Sequence, residues 1–256
     1  MLRFLLALAS VFSIALPAFT QSADSLLANG RQMLRAGENQ GSLDAIYAAR
    51  AMFERALADT GLAAWSHYYI ALADYRMVNL LLAAGEENKD AASGHLKSAV
   101  EHLRESTRIN PRSAEAYALL SSAYGRQISL SPAKSIFLGP KAQKALRKAV
   151  KLAPDNPRVV LSAAIGAFNT PKMFGGSKER AMQGFQRATE LFAREEPVDP
   201  VQPLWGHSQT YAWLGVAYLD RGELESARAA FEKALEIYPE FGWVKYVLLP
   251  ELEAAN

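Results

Sequence analysis

Cysteine is absent from all 256 residues. Its absence excludes disulfide staples, thiolate metal centres and a lipid anchor on a processed cysteine, so stability must come from a packed core. Histidine is scarce, at 67, 95, 102 and 207 only, and none of the four falls in a His-Glu-x-x-His or comparable ligand spacing. His95 and His102, seven apart near Glu101 and Glu105, are read as surface residues rather than metal ligands. An excess of one charge is also missing. Twenty-eight basic against 26 acidic residues leave +2, which argues against general nucleic-acid binding.

Catalytic patterns are equally lacking. Gly175, Gly176, Ser177 and Lys178 lack the preceding glycine that a phosphate loop needs, and are better read as a turn after Pro171 with Ser177 capping a helix. Gly206 and Ser208 lack the glycine two residues beyond the serine that a nucleophile elbow requires. No catalytic residue, metal or cofactor is expected, and an enzyme is the class least supported.

What is present begins at the N-terminus. Arg3 precedes an apolar run from Phe4 to Ile14, followed by Pro17 and small residues, the order of a secretory leader and too short for a membrane span. Residues 1–20 are therefore expected to be a signal peptide cut near Gln21. The mature protein is expected to be periplasmic or secreted, with no stable membrane insertion after cleavage.

Residues 208–241 carry the strongest pattern in the chain. Tyr211, Leu214, Gly215 and Tyr218 share one face of a first helix, Gly222 permits a turn, and Ala227, Phe231 and Ala234 face back from a second helix that ends at Pro239. Gly215 costs about 1 kcal/mol of helix propensity relative to Ala, so its presence implies a close approach of the second helix. One hairpin cannot bury its apolar face alone. Second-helix patterns recur at Ala49, Phe53 and Ala56, at Ala99, Leu103 and Ser106, at Ala142, Leu146 and Ala149, and at Ala181, Phe185 and Ala188.

These residues and spacings resemble the tetratricopeptide-repeat family, with 208–241 closest to its consensus. The resemblance implies an all-α solenoid, a right-handed superhelix of five helical hairpins at about 23–63, 65–113, 114–156, 157–195 and 208–241, with a capping helix over 242–256. Relative to a 34-residue period, the first four hairpins hold about 7, 15, 9 and 5 extra residues, expected between their two helices. In one of these, residues 126–140, Ile136 and Phe137 make the stretch too apolar for a solvated loop, so it either covers the core or forms a binding rim. Trp205, delivered by a connection containing Pro197, Pro200 and Pro203, is either an internal plug or part of that rim. Lys141, Lys144, Lys148 and Lys151 form a helical stripe that is either a solvated outer face or a patch for acidic lipid or protein.

The family's concave surface, carried over by position, would be lined by Tyr69, Leu161, Ile165, Phe168 and Val216 among others, an apolar groove. Arg31 alone resembles the basic clamp that some family members close on a peptide carboxylate. The resemblance thus implies a non-enzymatic, exported scaffold or adaptor for a protein or peptide partner in the bacterial envelope. The alternative is an accessory binding a solute or amphiphile, similar to the tetratricopeptide components associated with TRAP transporters.

Overall fold

The computed structural model describes residues 21–196 and 201–255; the expected leader at 1–20, together with Pro197 and Pro200, lies outside them. Among the described residues there is no strand. The helices are α1 (Ala23–Gln40), α2 (Leu43–Ala56), α3 (Ala63–Ala84), α4 (Lys89–Ile109), α5 (Ala114–Leu130), α6 (Ser135–Leu152), α7 (Pro157–Asn169), α8 (Lys178–Ala193), α9 (His207–Leu219), α10 (Leu224–Ile237) and α11 (Leu249–Ala254). Each odd-numbered helix from α1 to α9 packs against the even one that follows it, which gives five hairpins in chain order and the architecture of a helical-repeat solenoid.

Local chemistry sets the helix starts. The side chains of Ser22, Ser42 and Ser177 accept from the amides of Ser25, Ala45 and Arg180, and Asn156 accepts from those of Arg158 and Val159. The repeating small–large–small face supplies the core. Ala49, Phe53 and Ala56 on α2, Ala181, Phe185 and Ala188 on α8, and Ala227, Phe231 and Ala234 on α10 are all fully buried. Two of the large residues press on a glycine of the partner helix. A Cβ on Gly215 would stand 2.3 Å from the Phe231 ring, and one on Gly30 would stand 2.4 Å from the Phe53 ring. The first hairpin therefore repeats the close approach of the fifth.

The residues in excess of the repeat period correct the sequence reading. They are mostly additional helical turns rather than loops: α3 and α4 have 22 and 21 residues, against 13 and 14 in α9 and α10. Residues such as Leu80–Ala84 are good helix formers, so extending the helix is the low-energy outcome. The stretch 126–140 is likewise helical, with α5 running to Leu130, a 3₁₀ turn over Pro132–Lys134 and α6 starting at Ser135 with Pro140 inside it. Leu138 of this stretch packs on the core while Ile136 and Phe137 remain exposed.

At the C-terminus, Pro239 follows α10, and a π-helical turn (Val244–Leu248) leads into α11. Val244, Leu248 and Leu252 cover the last hairpin by packing in one cluster with Phe231 and Ala234. The array also curls back on its start. The Arg35 guanidinium lies 4.0 Å from the Tyr238 ring, the Asn39 side-chain amide bonds the Tyr238 hydroxyl, and Gly242 backs onto the Asn39 carbonyl.

Candidate functional site

The first helices of the hairpins bring Arg31, Tyr68, Tyr69, Arg76 and Arg158 around one non-helical piece of chain, Val201–Trp205. Val201 and Pro203 are buried and Trp205 is partly buried, while Gln202 and Leu204 are exposed. Its backbone is held as a bound peptide would be. The Tyr69 hydroxyl donates to the Val201 carbonyl at 2.6 Å, and Arg31 donates to the Gln202 carbonyl. The Trp205 indole N–H donates to the Tyr68 hydroxyl at 2.9 Å, with the Arg76 guanidinium 5.3 Å from the indole ring. Gly206 ends the segment at φ 118°, where a Cβ would lie 2.3 Å from the Phe192 ring.

Beneath Trp205 lies a buried ion pair. Arg158, 4% exposed at its side chain, stands 3.6 Å from Glu115 and donates to both oxygens of Glu195, through Nη2 at 3.0 Å. Burial pushes the Glu115 carboxyl up, and Arg158 and the Asn156 amide partly offset it. Burial would lower the Arg158 guanidinium, but Glu195 and Glu115 outweigh it and hold the charge. The hydroxyls of Tyr68 and Tyr69 are pushed up mainly by burial, so both remain protonated.

This geometry corrects the groove assignment. Tyr69 and Leu161 are each 1% exposed and belong to the core, Tyr69 because Val201 covers it and Leu161 because it packs with Phe185 and Leu214. Trp205 points into the solenoid rather than out to a rim, held by Tyr68. Ile165, Phe168 and Val216 are half-buried, and Phe168 joins an aromatic strip with Trp213 (6.1 Å between ring centroids) that continues to Trp243 (5.3 Å). Ile136 and Phe137 lie away from all of these, at the N-terminus of α6. Of the repeat residues, Leu214, Gly215, Ala227, Phe231 and Ala234 are buried, Tyr211 and Tyr218 are half-buried, and Pro239 is exposed.

Sequence reasoning missed a polar network on α2, α3 and α4. Asp74, fully buried, accepts from Arg50 Nε at 3.0 Å, His95 Nδ1 at 2.8 Å and Ser98 Oγ at 2.6 Å; Tyr47 Oη stands 2.9 Å from His95 Nε2. The signal was there, since Asp74 is the only acid in α3. Three donors satisfy one buried carboxylate and tie three helices together, a structural task. Among the described residues no group of three or more His, Cys, Asp or Glu side chains is placed to hold a metal.

His67 and His102 meet at 2.8 Å through their Nδ1 atoms, so one ring must donate to the other. Burial lowers the pKa of both, helped for His67 by the neighbouring His102. A base with a lowered folded pKa leaves the unfolded chain binding more protons, so stability falls as pH drops below the unfolded value of about 6.5. We expect the thermal midpoint to fall between pH 7.5 and 5.5, and His67→Gln/His102→Gln to flatten that slope. Parallel pH profiles for wild type and variant would show that the pair is not the titrating unit.

The family model of the tetratricopeptide repeat matches residues 208–241. No curated protein matches the sequence. Among solved structures, a thermophilic tetratricopeptide-repeat protein of Thermus thermophilus is 20% identical with a TM-score of 0.61, covering 91% of this chain and 98% of its own. The HusA haemophore of Porphyromonas gingivalis is also 20% identical, with a TM-score of 0.65 over 80% of this chain and 96% of its own. The chain thus contains a tetratricopeptide repeat, and its fold is the all-α solenoid of tetratricopeptide-repeat proteins. Such a fold is typically a scaffold for protein or peptide partners rather than a catalyst. No described helix is long and apolar enough to cross a membrane.

Proposed function

We propose that the protein is a non-enzymatic, exported scaffold of the bacterial envelope whose concave groove takes an extended apolar segment of a protein partner, in competition with its own residues 201–205. One observation carries this reading: the groove already holds a segment of chain by two of its backbone carbonyls and an indole anchor. These are the interactions that strand-like peptide recognition uses. Tethering gives the internal segment an effective concentration in the millimolar range, so a partner gains access by binding more tightly or by engaging the half-buried Ile165, Phe168, Trp213 and Val216 first. Export rests on the leader pattern at 1–20. The alternative, a carrier of a solute or amphiphile, has the haemophore's fold in its favour.

The test supplies the segment in trans. A peptide of residues 196–206 should bind the Trp205→Ala variant and not the wild type, because the variant loses the indole anchor of the internal copy. Titration calorimetry reads the difference. A folded Trp205→Ala protein that ignores the peptide would reject the groove as a peptide site.

A further inference from the structure

Four large apolar side chains stand mostly in solvent. Ile136 is 77% exposed, Phe137 72%, Met173 83% and Phe174 61%. They occupy the connections between first and second helices of two neighbouring hairpins, α5–α6 and α7–α8, which in a solenoid fall on one edge. Exposed apolar clusters of this size mark interaction sites. Lys134 and Lys141 are exposed beside Ile136 and Phe137 and form no ion pair among the described residues, Lys172 is exposed beside Met173 and Phe174 with Glu179 near enough to feel its charge, and Lys144 follows along α6. No acidic residue occurs from 116 to 154. Because the whole chain carries only +2, these cations are a local concentration rather than a general bias.

We infer that this edge docks the protein peripherally on an anionic phospholipid surface. Apolar tips on two turns, flanked by exposed lysines that outnumber the acid beside them, Glu179, complement a bilayer interface, where rings and branched chains enter the headgroup boundary and ammonium groups meet phosphates. A protein face would instead combine apolar anchors with matched donors and acceptors of both signs. Lys134, Lys141 and Lys172 lie within about a Debye length of the tips and dominate the attraction, while Lys148 and Lys151 sit further along α6. The inference is independent of the groove: it uses the opposite property of the fold, an outward edge rather than an inward face.

The lack of cysteine permits a clean test on the full chain. A single solvatochromic fluorophore is attached at Phe137→Cys, or, as control, at Arg112→Cys in the α4–α5 connection on the other edge. With vesicles of phosphatidylcholine and phosphatidylglycerol, emission at position 137 shifts to the blue and emission at 112 does not; pure phosphatidylcholine vesicles leave both unchanged. Lys134→Gln/Lys141→Gln/Lys172→Gln lowers partitioning by about a hundredfold, at roughly fivefold per cation near an anionic surface. Met173→Ser/Phe174→Ser weakens it with no change in melting temperature. Equal shifts at both positions would mean adsorption through the leader or the whole surface. That outcome, no shift with either vesicle, an equal shift on neutral vesicles, or a response at 137 only to a soluble protein fraction would each overturn the inference.

Discussion

Replacing Arg158 with Met is expected to lower the thermal midpoint by about 10 °C, the equivalent of ~3–5 kcal/mol for a chain of this length. The loss comes from what remains rather than from what is removed. Glu115 would keep a buried carboxylate whose neutralising guanidinium has gone, with only the Asn156 amide as a donor at 2.9 Å. Glu195, 30% exposed at its side chain, can turn to water and contributes less. The pH dependence separates this cause from lost packing. Burial already raises the Glu115 carboxyl, and deleting Arg158 raises it further. The folded variant therefore binds a proton more readily than the unfolded chain, and its deficit is full above the raised pKa and shrinks as pH falls toward the unfolded value of about 4.3. Adding Glu115→Gln to the variant should recover much of the stability at pH 7. If Arg158→Met melts like the wild type, Arg158 is not held between Glu115, Glu195 and Trp205 as described.

How far the sequence was readable depended on how locally each feature is encoded. The fifth hairpin was legible because its spacing is uninterrupted: Tyr211 to Pro239 fit one period with a two-helix turn at Gly222, whose φ of 72° suits glycine. The hairpins of α3–α4 and α5–α6 were legible mainly by their second-helix faces, their first-helix faces matching less well. A count of extra residues gives length but not conformation, and here the surplus extended the helices. Groove residues were the least legible. Tyr69 sits at a position that faces the concave side, yet whether that side is free depends on Val201, 132 residues later in the chain. No periodicity within α3 carries that information. Trp205 offered a partial signal, since a tryptophan after a proline-rich connection has few ways to be satisfied, and its indole N–H found Tyr68. Asp74 offered a clearer one, because a single carboxylate flanked by Ala71, Leu72 and Ala73 demands buried donors.

Two substitutions of helical glycines should move stability in opposite directions. At Gly125 on α5 a Cβ would meet nothing within 4 Å, so Gly125→Ala should stabilise by up to about 1 kcal/mol through helix propensity alone. At Gly215 the propensity gain is similar, but the first added atom would stand 2.3 Å from one edge atom of the Phe231 ring and 2.5 Å from its neighbour. Phe231 is fully buried between α9, α10 and the C-terminal cap, so its ring cannot swing into solvent to make room. Gly215→Leu should therefore overpack the hairpin and cost about 1–3 kcal/mol net of the propensity gain. Trimming the opposing ring in Gly215→Leu/Phe231→Ala should restore part of the loss, because the leucine then fills space that the ring vacates. Gly30 faces Phe53 in the same way at 2.4 Å, so Gly30→Leu should behave as Gly215→Leu does, although the first hairpin is far from consensus. Urea melts of the three single variants decide the matter. A stabilised Gly215→Leu would mean that α9 and α10 do not approach through this glycine, and the repeat geometry of the best-matched hairpin would have to be redrawn.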